Sequence, residues 1–272
     1  MRKITGLYTY PVKSLRGVPV AFSTLDERGL AYDRSWMVVD GAGKFVTQRE
    51  LPMMAAIGAE ISLPLYGLLL HAPGMEIDVR NWTAGPRRIV RIWDDEECEA
   101  IDQGEDAAQF LRKALGRDDL RLVYMPPDFH RPSRGQGDNV RVGFADGFPL
   151  LIASEESLAD LNSRLTEPVP MNRFRPNIVV AGCERPFEED EWHTFTIAGI
   201  PFRGMKRCTR CPVTMTDQRT GDRAKKEPLA TLAKYRRFGK GACFGVNVNH
   251  LGTGQLKLGD AISVTTFAPP PT

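Results

Sequence analysis

The sequence predicts a mixed, mainly β (α+β) protein: barrel-like β domains that carry a few peripheral helices. Three observations lead there. Apolar runs are short and closely spaced, and the 25 glycines and 20 prolines among 272 residues supply turns between them. Only three stretches carry the 3.6-residue apolar period of a helix. Strand-like and helix-like runs do not alternate, which argues against a doubly wound parallel sheet. The length suits one large domain or two closely packed ones, and 42% hydrophobic with 26% charged residues is ordinary for a globular chain.

The first third reads as β. "KITGLYTYPV" sets Ile4, Gly6, Tyr8 and Tyr10 on one strand face and Leu7 on the other. "RSWMVVDGAGKFVTQR" is a hairpin signal, with two apolar, β-branched runs around Asp40-Gly41-Ala42-Gly43. "IGAEISL", "LLLHAPG" and "RRIVRIW" continue as short strands. "GEDAAQFLRKALG" is the first helix: Ala107, Phe110, Leu111, Ala114 and Leu115 share a face, and Gly116 stops it. "LRLVYM" reads as a closing strand. The polar, Pro/Gly/Arg-rich stretch 126–141 is the expected domain boundary or mobile loop, giving domains at 1–125 and 126–272.

In the second half, Ser154 is an expected N-cap, with Glu155 and Glu156 in the first turn and Leu158, Leu161 and Leu165 on one face. "RPNIVVAG", "HTFTIAG", "IPFRGMKRC" and "VTMTD" read as strands, and "EPLATLAKYRR" as a short helix. "GVNVNHLGTGQLKLGDAISVTTF" reads as strands around a Gly-rich turn.

A net charge of +2 excludes a molecule that attracts nucleic acid as a whole, so electrostatic function must be local. No apolar run approaches the roughly 18 residues of a membrane helix, and the opening "MRKITGLYTYPV" lacks a signal-peptide core. Five cysteines cannot all pair, which favours a reducing, cytoplasmic setting.

Two of those cysteines sit in "GMKRCTRCPVTMTDQRTG". A structural zinc site needs four ligands, and Cys208 with Cys211 supplies one pair only. A thioredoxin-like dithiol needs a helix N-terminus, and Pro212 followed by β-branched residues is poor helix material. Cys208 reads as a buried strand residue. Around Cys211, seven cations (Lys206, Arg207, Arg210, Arg219, Arg223, Lys225, Lys226) face two anions (Asp217, Asp222) between residues 205 and 226. Such surroundings favour a thiolate, a soft metal ligand, and arginines are forks for phosphate. A metal held by a phosphorylated organic cofactor would satisfy both, although a solvated basic loop has the same composition. Lys13 and Ser14 in "YPVKSLRG", Arg34 in "YDRSWMVV", and Arg173 and Arg175 in "NRFRPNIVV" stand beside strand ends, where a cation needs an anion or carboxylate to offset desolvation.

"YPVKSLRG", "YDRSWMVVD", "FRPNIVV", "EEDEW", "CTRCPVTMTD", "KEPLATLAKYR", "FGVN" and "GDAISV" together resemble the MOSC-domain proteins. The likeness runs over nearly the whole chain, including the N-terminal β-barrel domain that precedes MOSC, and is strongest to the amidoxime-reducing components and their bacterial N-hydroxylated-base reductase relatives. It implies a MOSC β-barrel with peripheral helices plus a smaller N-terminal β-barrel-like domain. It also implies a molybdenum cofactor, a phosphorylated pterin dithiolene, with Cys211 as the metal ligand. Lys13, Ser14, Arg34, Arg175, Asn177, Thr209 and Arg210 match cofactor-contacting positions, and Asp146 an acidic position near the metal. Cys183 matches a family cysteine that is not a ligand and reads as core. Gly147 and Phe148 depart from a pattern in which hydroxyl residues follow the aspartate. Pyridoxal phosphate binding is a further association that comes with the resemblance.

The expected activity is reduction of N-oxygenated small molecules, with Cys211 tuning the metal and Asp146 relaying a proton. The chain shows neither the family's membrane anchor nor a ferredoxin run, so electrons are expected from a separate protein of ferredoxin, flavodoxin or cytochrome b5/reductase type. Neither nucleic acid nor membrane is an expected partner. The alternatives are a cofactor or sulfur carrier using Cys211 without turnover, and a zinc or dithiol protein using both cysteines.

Overall fold

The computed structural model describes residues 1–62, 67–80, 83–93, 96–134, 140–224, 226–239 and 241–269. Lys225 of the basic cluster and residues 135–139 of the expected boundary loop lie outside them. The chain is mainly β with three short α-helices, Glu105–Leu115, Glu155–Asn162 and Leu229–Tyr235.

The largest sheet has nine strands. Its path runs Ile262–Phe267, Trp192–Ile197, Ile200–Thr209, Gly241–His250, Leu150–Ser154, Ile178–Ala181, Lys3–Thr9 and Val18–Pro19, with Arg237–Phe238 paired on Gly241–His250. Pairing is antiparallel except between Leu150–Ser154 and Ile178–Ala181. A bridge between Lys3 and Ala261 brings the first strand back to the start of the last, so the sheet curls into a barrel. Its inside is filled by Ile4, Leu7, Trp192, Phe195, Phe202, Val246 and Val248, all nearly inaccessible.

A second sheet orders Trp36–Val39, Arg121–Tyr124, Glu96–Asp102 and Arg87–Ile92. Lys44 and Phe45 close it, bridging Arg91 on one side and Val39 on the other. A three-stranded sheet, Gly58–Ser62, Gly67–Ala72 and Met75–Val79, packs with helix Glu105–Leu115 over a core of Val12, Leu15, Trp36, Leu68, Leu70, Leu111 and Leu122. Gly116 ends that helix at φ 64°, as its position predicts. Ser154 caps the second helix by accepting from the Ser157 amide. A small sheet of Gly254–Lys257, Phe22–Asp26 and Gly29–Leu30 joins early and late sequence. No helix among the described residues is long and apolar enough to cross a membrane.

Three local expectations need correction. Ile4 and Leu7 both point inward, because the register of the first strand shifts between Ile4 and Gly6; a bulge resets the two-residue alternation. The segment after Cys211 is a 3₁₀ turn, Pro212–Met215, rather than a strand: Pro212 starts it and Thr214 donates to the Cys211 carbonyl. The described part of the 126–141 segment is anchored, not loose. Arg131 and Ser133 are buried, and Arg131 donates through Nη1 to the carbonyls of Gly143 and Ala145 at 2.6 Å each.

Besides ion pairs such as Lys13–Asp146 and Arg131–Glu96, the two halves meet along a seam of paired amides and arginine–carbonyl contacts. Gln48 and Gln218 exchange amide hydrogen bonds of 3.1 and 2.9 Å, and Gln48 Nε2 also donates to the Ser14 carbonyl at 2.7 Å. Arg223 donates to the carbonyls of Gln48 and Arg49, and Arg16 Nη2 to that of Arg219.

Candidate functional site

Above this seam lies a cavity of about 280 Å³. Every residue expected at the site lines it: Lys13, Ser14, Arg34, Asp146, Arg175, Asn177, Thr209, Arg210 and Cys211. They come from far apart in sequence because the strands and loops that end here belong to both halves of the chain.

Lys13 follows the first strand and is buried; its Nζ donates to the Phe144 carbonyl at 2.7 Å and to Asp146 Oδ1, and it faces the Phe45 ring at 5.6 Å. Burial lowers its pKa, against the pull of Asp146. Burial in the concave wall would raise the Asp146 carboxyl, yet Lys13, Arg49 and Arg34 outweigh it and hold the group down at about 2. That carboxylate is exposed to the cavity itself, so water screens part of this pull, but the direction follows from the cations around it.

Arg34 donates through Nη1 to Asp33 and to Asn177 Oδ1 (2.9 Å), and stands 4.2 Å from the Tyr10 ring centre. Asp33 is buried and accepts from the Tyr10 amide at 2.8 Å; burial pushes its carboxyl up against the pull of Arg34. Arg175 faces the same ring at 4.3 Å and donates to Gln218 Oε1 at 2.9 Å. The Tyr10 hydroxyl donates to the Pro176 carbonyl at 2.9 Å, which holds the ring in place. Asn177 is fully buried and also accepts from Leu151 N and donates to the Tyr8 carbonyl, so it ties Arg34 to the barrel.

Arg175 is 9% exposed and has no carboxylate partner among the described residues. Desolvation lowers its pKa to about 10, so it remains a cation at neutral pH. Its backbone is left-handed, at φ 54°. Ser14 (68°), Arg34 (48°) and Trp93 (60°) share that conformation, so four of the seven described non-glycine residues with positive φ line this cavity. Strain of this kind persists where surroundings over-determine it, and it concentrates at working sites.

Cys211 caps the 3₁₀ turn and is half-buried at the cavity wall. Arg210 donates to Cys208 Sγ at 2.8 Å and to the Phe174 carbonyl at 2.6 Å, while its Nε is buried without a partner. Cys208 therefore corrects the core reading: it ends a strand, half-buried, at the same cavity. Thr209 is exposed there, its hydroxyl 3.8 Å from Cys243 Sγ. Cys183 is half-buried and packs against the barrel core. All five cysteines are free.

The basic cluster does not gather around Cys211 as its spacing suggests. Of its six described cations only Lys206 and Arg210 line the cavity. Arg207 turns to buried Asp190 and Arg223 spans the seam. Conversely, Tyr10, Asp33, Arg49, Trp93 and Arg134 escaped sequence reasoning, since they lie in unrelated local contexts. The run "YDRS" held a signal for Asp33, an acid directly before a cation at a strand start.

Comparison with known proteins agrees with this architecture. Residues 1–118 match the MOSC N-terminal beta barrel domain and residues 139–263 the MOSC domain. The chain is 34% identical to human mitochondrial amidoxime-reducing component 1 over 278 residues, covering 95% of this chain and 82% of that protein. Bovine mitochondrial amidoxime reducing component 2 is 32% identical over the same shares. A rice molybdenum cofactor sulfurase is 31% identical over 91% of this chain and 32% of its own length. With both domains matched in order and such relatives aligned along nearly its full length, the chain belongs to the MOSC-domain family that carries the MOSC N-terminal β-barrel domain.

Proposed function

We propose that the cavity binds a molybdenum cofactor, with Cys211 on the metal, and that the protein reduces N-oxygenated small molecules such as amidoximes, hydroxylamines and N-hydroxylated nucleobases. The observation that carries this reading is Arg175, a buried cation with no carboxylate partner among the described residues, held in a left-handed backbone at a cavity that also presents a thiol. An anionic ligand would supply the missing countercharge. The unpartnered Nε of Arg210 adds a second buried donor.

The donor set fits the cofactor. Among the described residues, no three His, Cys, Asp or Glu side chains gather to hold a metal. A metal on Cys211 would therefore take its other ligands from an organic partner, as a dithiolene provides. Lys13, Arg34, Arg175 and Arg210 would hold its phosphate and ring, Ser14 and Thr209 would contact it beside them, and Asn177 would fix Arg34. When bound, the cofactor supplies the two-electron oxygen-removing chemistry that no side chain here offers. Lys13, Arg49 and Arg34 hold Asp146 as a carboxylate; we assign it the positioning of Lys13 beside the proton relay expected of it. Electrons come from a separate protein. The relatives named amidoxime-reducing components support this reaction class.

The test is protein made in a host that synthesises the cofactor. Stoichiometric molybdenum and benzamidoxime reduction with a chemical electron donor are expected, with both lost in Cys211→Ala, activity by about 100-fold or more. Absence of molybdenum from the wild type, or full activity of the variant, would overturn the proposal. The rice relative's name favours a second reading, in which Cys211 carries sulfur or cofactor without turnover. Electrophilic labelling separates the two. A carrier thiol labels freely, whereas a metal-bound thiolate is protected until the cofactor is stripped.

A further inference from the structure

The cations lining the cavity fall into two groups. Lys13, Arg34, Arg175 and Arg210 form the part assigned above to the cofactor. Arg49, Arg134 and Lys206 line the same cavity and are more open to solvent. Among the described residues, none of the three has a counter-ion of its own. Arg49 reaches Asp146 at 3.5 Å, but Lys13 already engages that carboxylate. Arg134 reaches Glu96 at 3.6 Å, but buried Arg131 holds Glu96 through Nε and Nη2. Lys206 faces the Phe148 ring at 5.3 Å and has no acidic partner among the described residues.

Trp93 ties the two arginines together. Arg49 stands 4.7 Å and Arg134 6.0 Å from its ring centre. Phe45 meets the indole edge-on at 5.2 Å, the indole N–H is buried without a partner among the described residues, and the backbone is left-handed. A strained residue with an unsatisfied donor, holding two guanidiniums that share their carboxylates with Lys13 and Arg131 beside a cavity, is a costly arrangement for a fold to keep without a ligand. The glycine that departs from the family pattern takes part: a Cβ on Gly147 would lie 2.6 Å from Arg134 Cδ. Phe148 in turn seats Lys206.

We infer that Arg49 and Arg134, gathered on Trp93, together with Lys206 beside Phe148, receive the anionic end of the substrate. The favoured class is an N-oxygenated group on a flat conjugated frame that also bears a carboxylate or phosphate. Guanidinium forks match both anions, and a basic mouth raises the encounter rate of either. This inference rests on the reading of the cavity as a site of N-oxide reduction.

The test compares kcat/KM of the molybdenum-loaded protein for benzamidoxime, para-carboxybenzamidoxime and para-phosphonobenzamidoxime. The charged analogues should be preferred by about tenfold at low ionic strength, and added salt should shrink that preference. Comparison of the two analogues shows which anion the site takes. In Arg49→Gln/Arg134→Gln, and less completely in Gly147→Ala, the ratio of charged to neutral substrate should fall toward one. Because it is a ratio within each variant, general damage to the site cancels. Binding of unreactive para-carboxybenzamide against benzamide, read by tryptophan fluorescence with Trp93→Phe as the reference, gives a measure free of turnover. Equal kcat/KM for charged and neutral substrates in the wild type, or a preference that survives the double substitution, would overturn the inference while leaving the proposed reaction intact. If benzamidoxime is not reduced at all, the proposed reaction fails, and the fluorescence comparison still decides whether the mouth receives anions.

Discussion

Tyr10 carries two guanidiniums on one ring, and its removal separates their support from the rest of the cavity. Tyr10→Phe keeps the ring and loses one buried hydrogen bond, so urea unfolding should report a loss of about 1 kcal/mol. Tyr10→Leu also removes both cation–ring contacts and should cost about 3 kcal/mol; equal losses for the two variants would sink the argument. Glu189 offers a pH test at the same scale. It is fully buried, accepting from Ser154 N, Ser154 Oγ and Ser157 Oγ, and desolvation together with neighbouring Asp190 pushes its carboxyl up to about 7. In the unfolded chain such a group titrates at about 4.3. Between those values the folded state holds a proton that the unfolded chain has released. Stability from this group is therefore greatest below pH 4.3 and falls as pH rises through 7, by on the order of 3 kcal/mol. Glu189→Gln should flatten that decline in urea melts at pH 5 and pH 8; an unchanged slope would show that the decline has another source.

Among the elements, the first helix was legible because its apolar period and its Gly116 stop agree. Gly116 has open space where a Cβ would point, so Gly116→Ala isolates the backbone cost of φ 64°. Thermal unfolding should show a loss of about 1 kcal/mol, and a neutral result would mean that the C-cap relaxes. The first strand was legible in place but not in facing, since its bulge answers to the partner strand Ile178–Ala181, which a local pattern does not contain. The turn after Cys211 was misread for a related reason. Val213 and Thr214 have strand propensity, but Pro212 and the carbonyl of Cys211 set a tighter path. The nine residues that the family resemblance singled out do share a cavity, whereas the basic composition around Cys211 overstated how many cations face it. Direction of a side chain is a tertiary property, and composition has no access to it.

At the scale of the molecule, early and late sequence are built into one sheet. Lys3–Thr9 lies between Ile178–Ala181 and Val18–Pro19 and also bridges Ala261. Residues 126–272 expressed alone would open the barrel along two ladders, so that fragment should show no cooperative urea transition, and co-expression with residues 1–125 should restore it. A sharp transition for the fragment alone would refute this dependence. The seam between Gln48 and Gln218 has a consequence for how the protein answers its solution. Paired amides bear no net charge and do not titrate across the physiological range. Salt that masks the arginines at the mouth does not screen these amide contacts, so ionic strength should retune which molecules arrive without loosening this part of the seam. At the amide seam, encounter and architecture are thereby set by separate chemistries, whereas at Asp146 and Glu96 one carboxylate serves both.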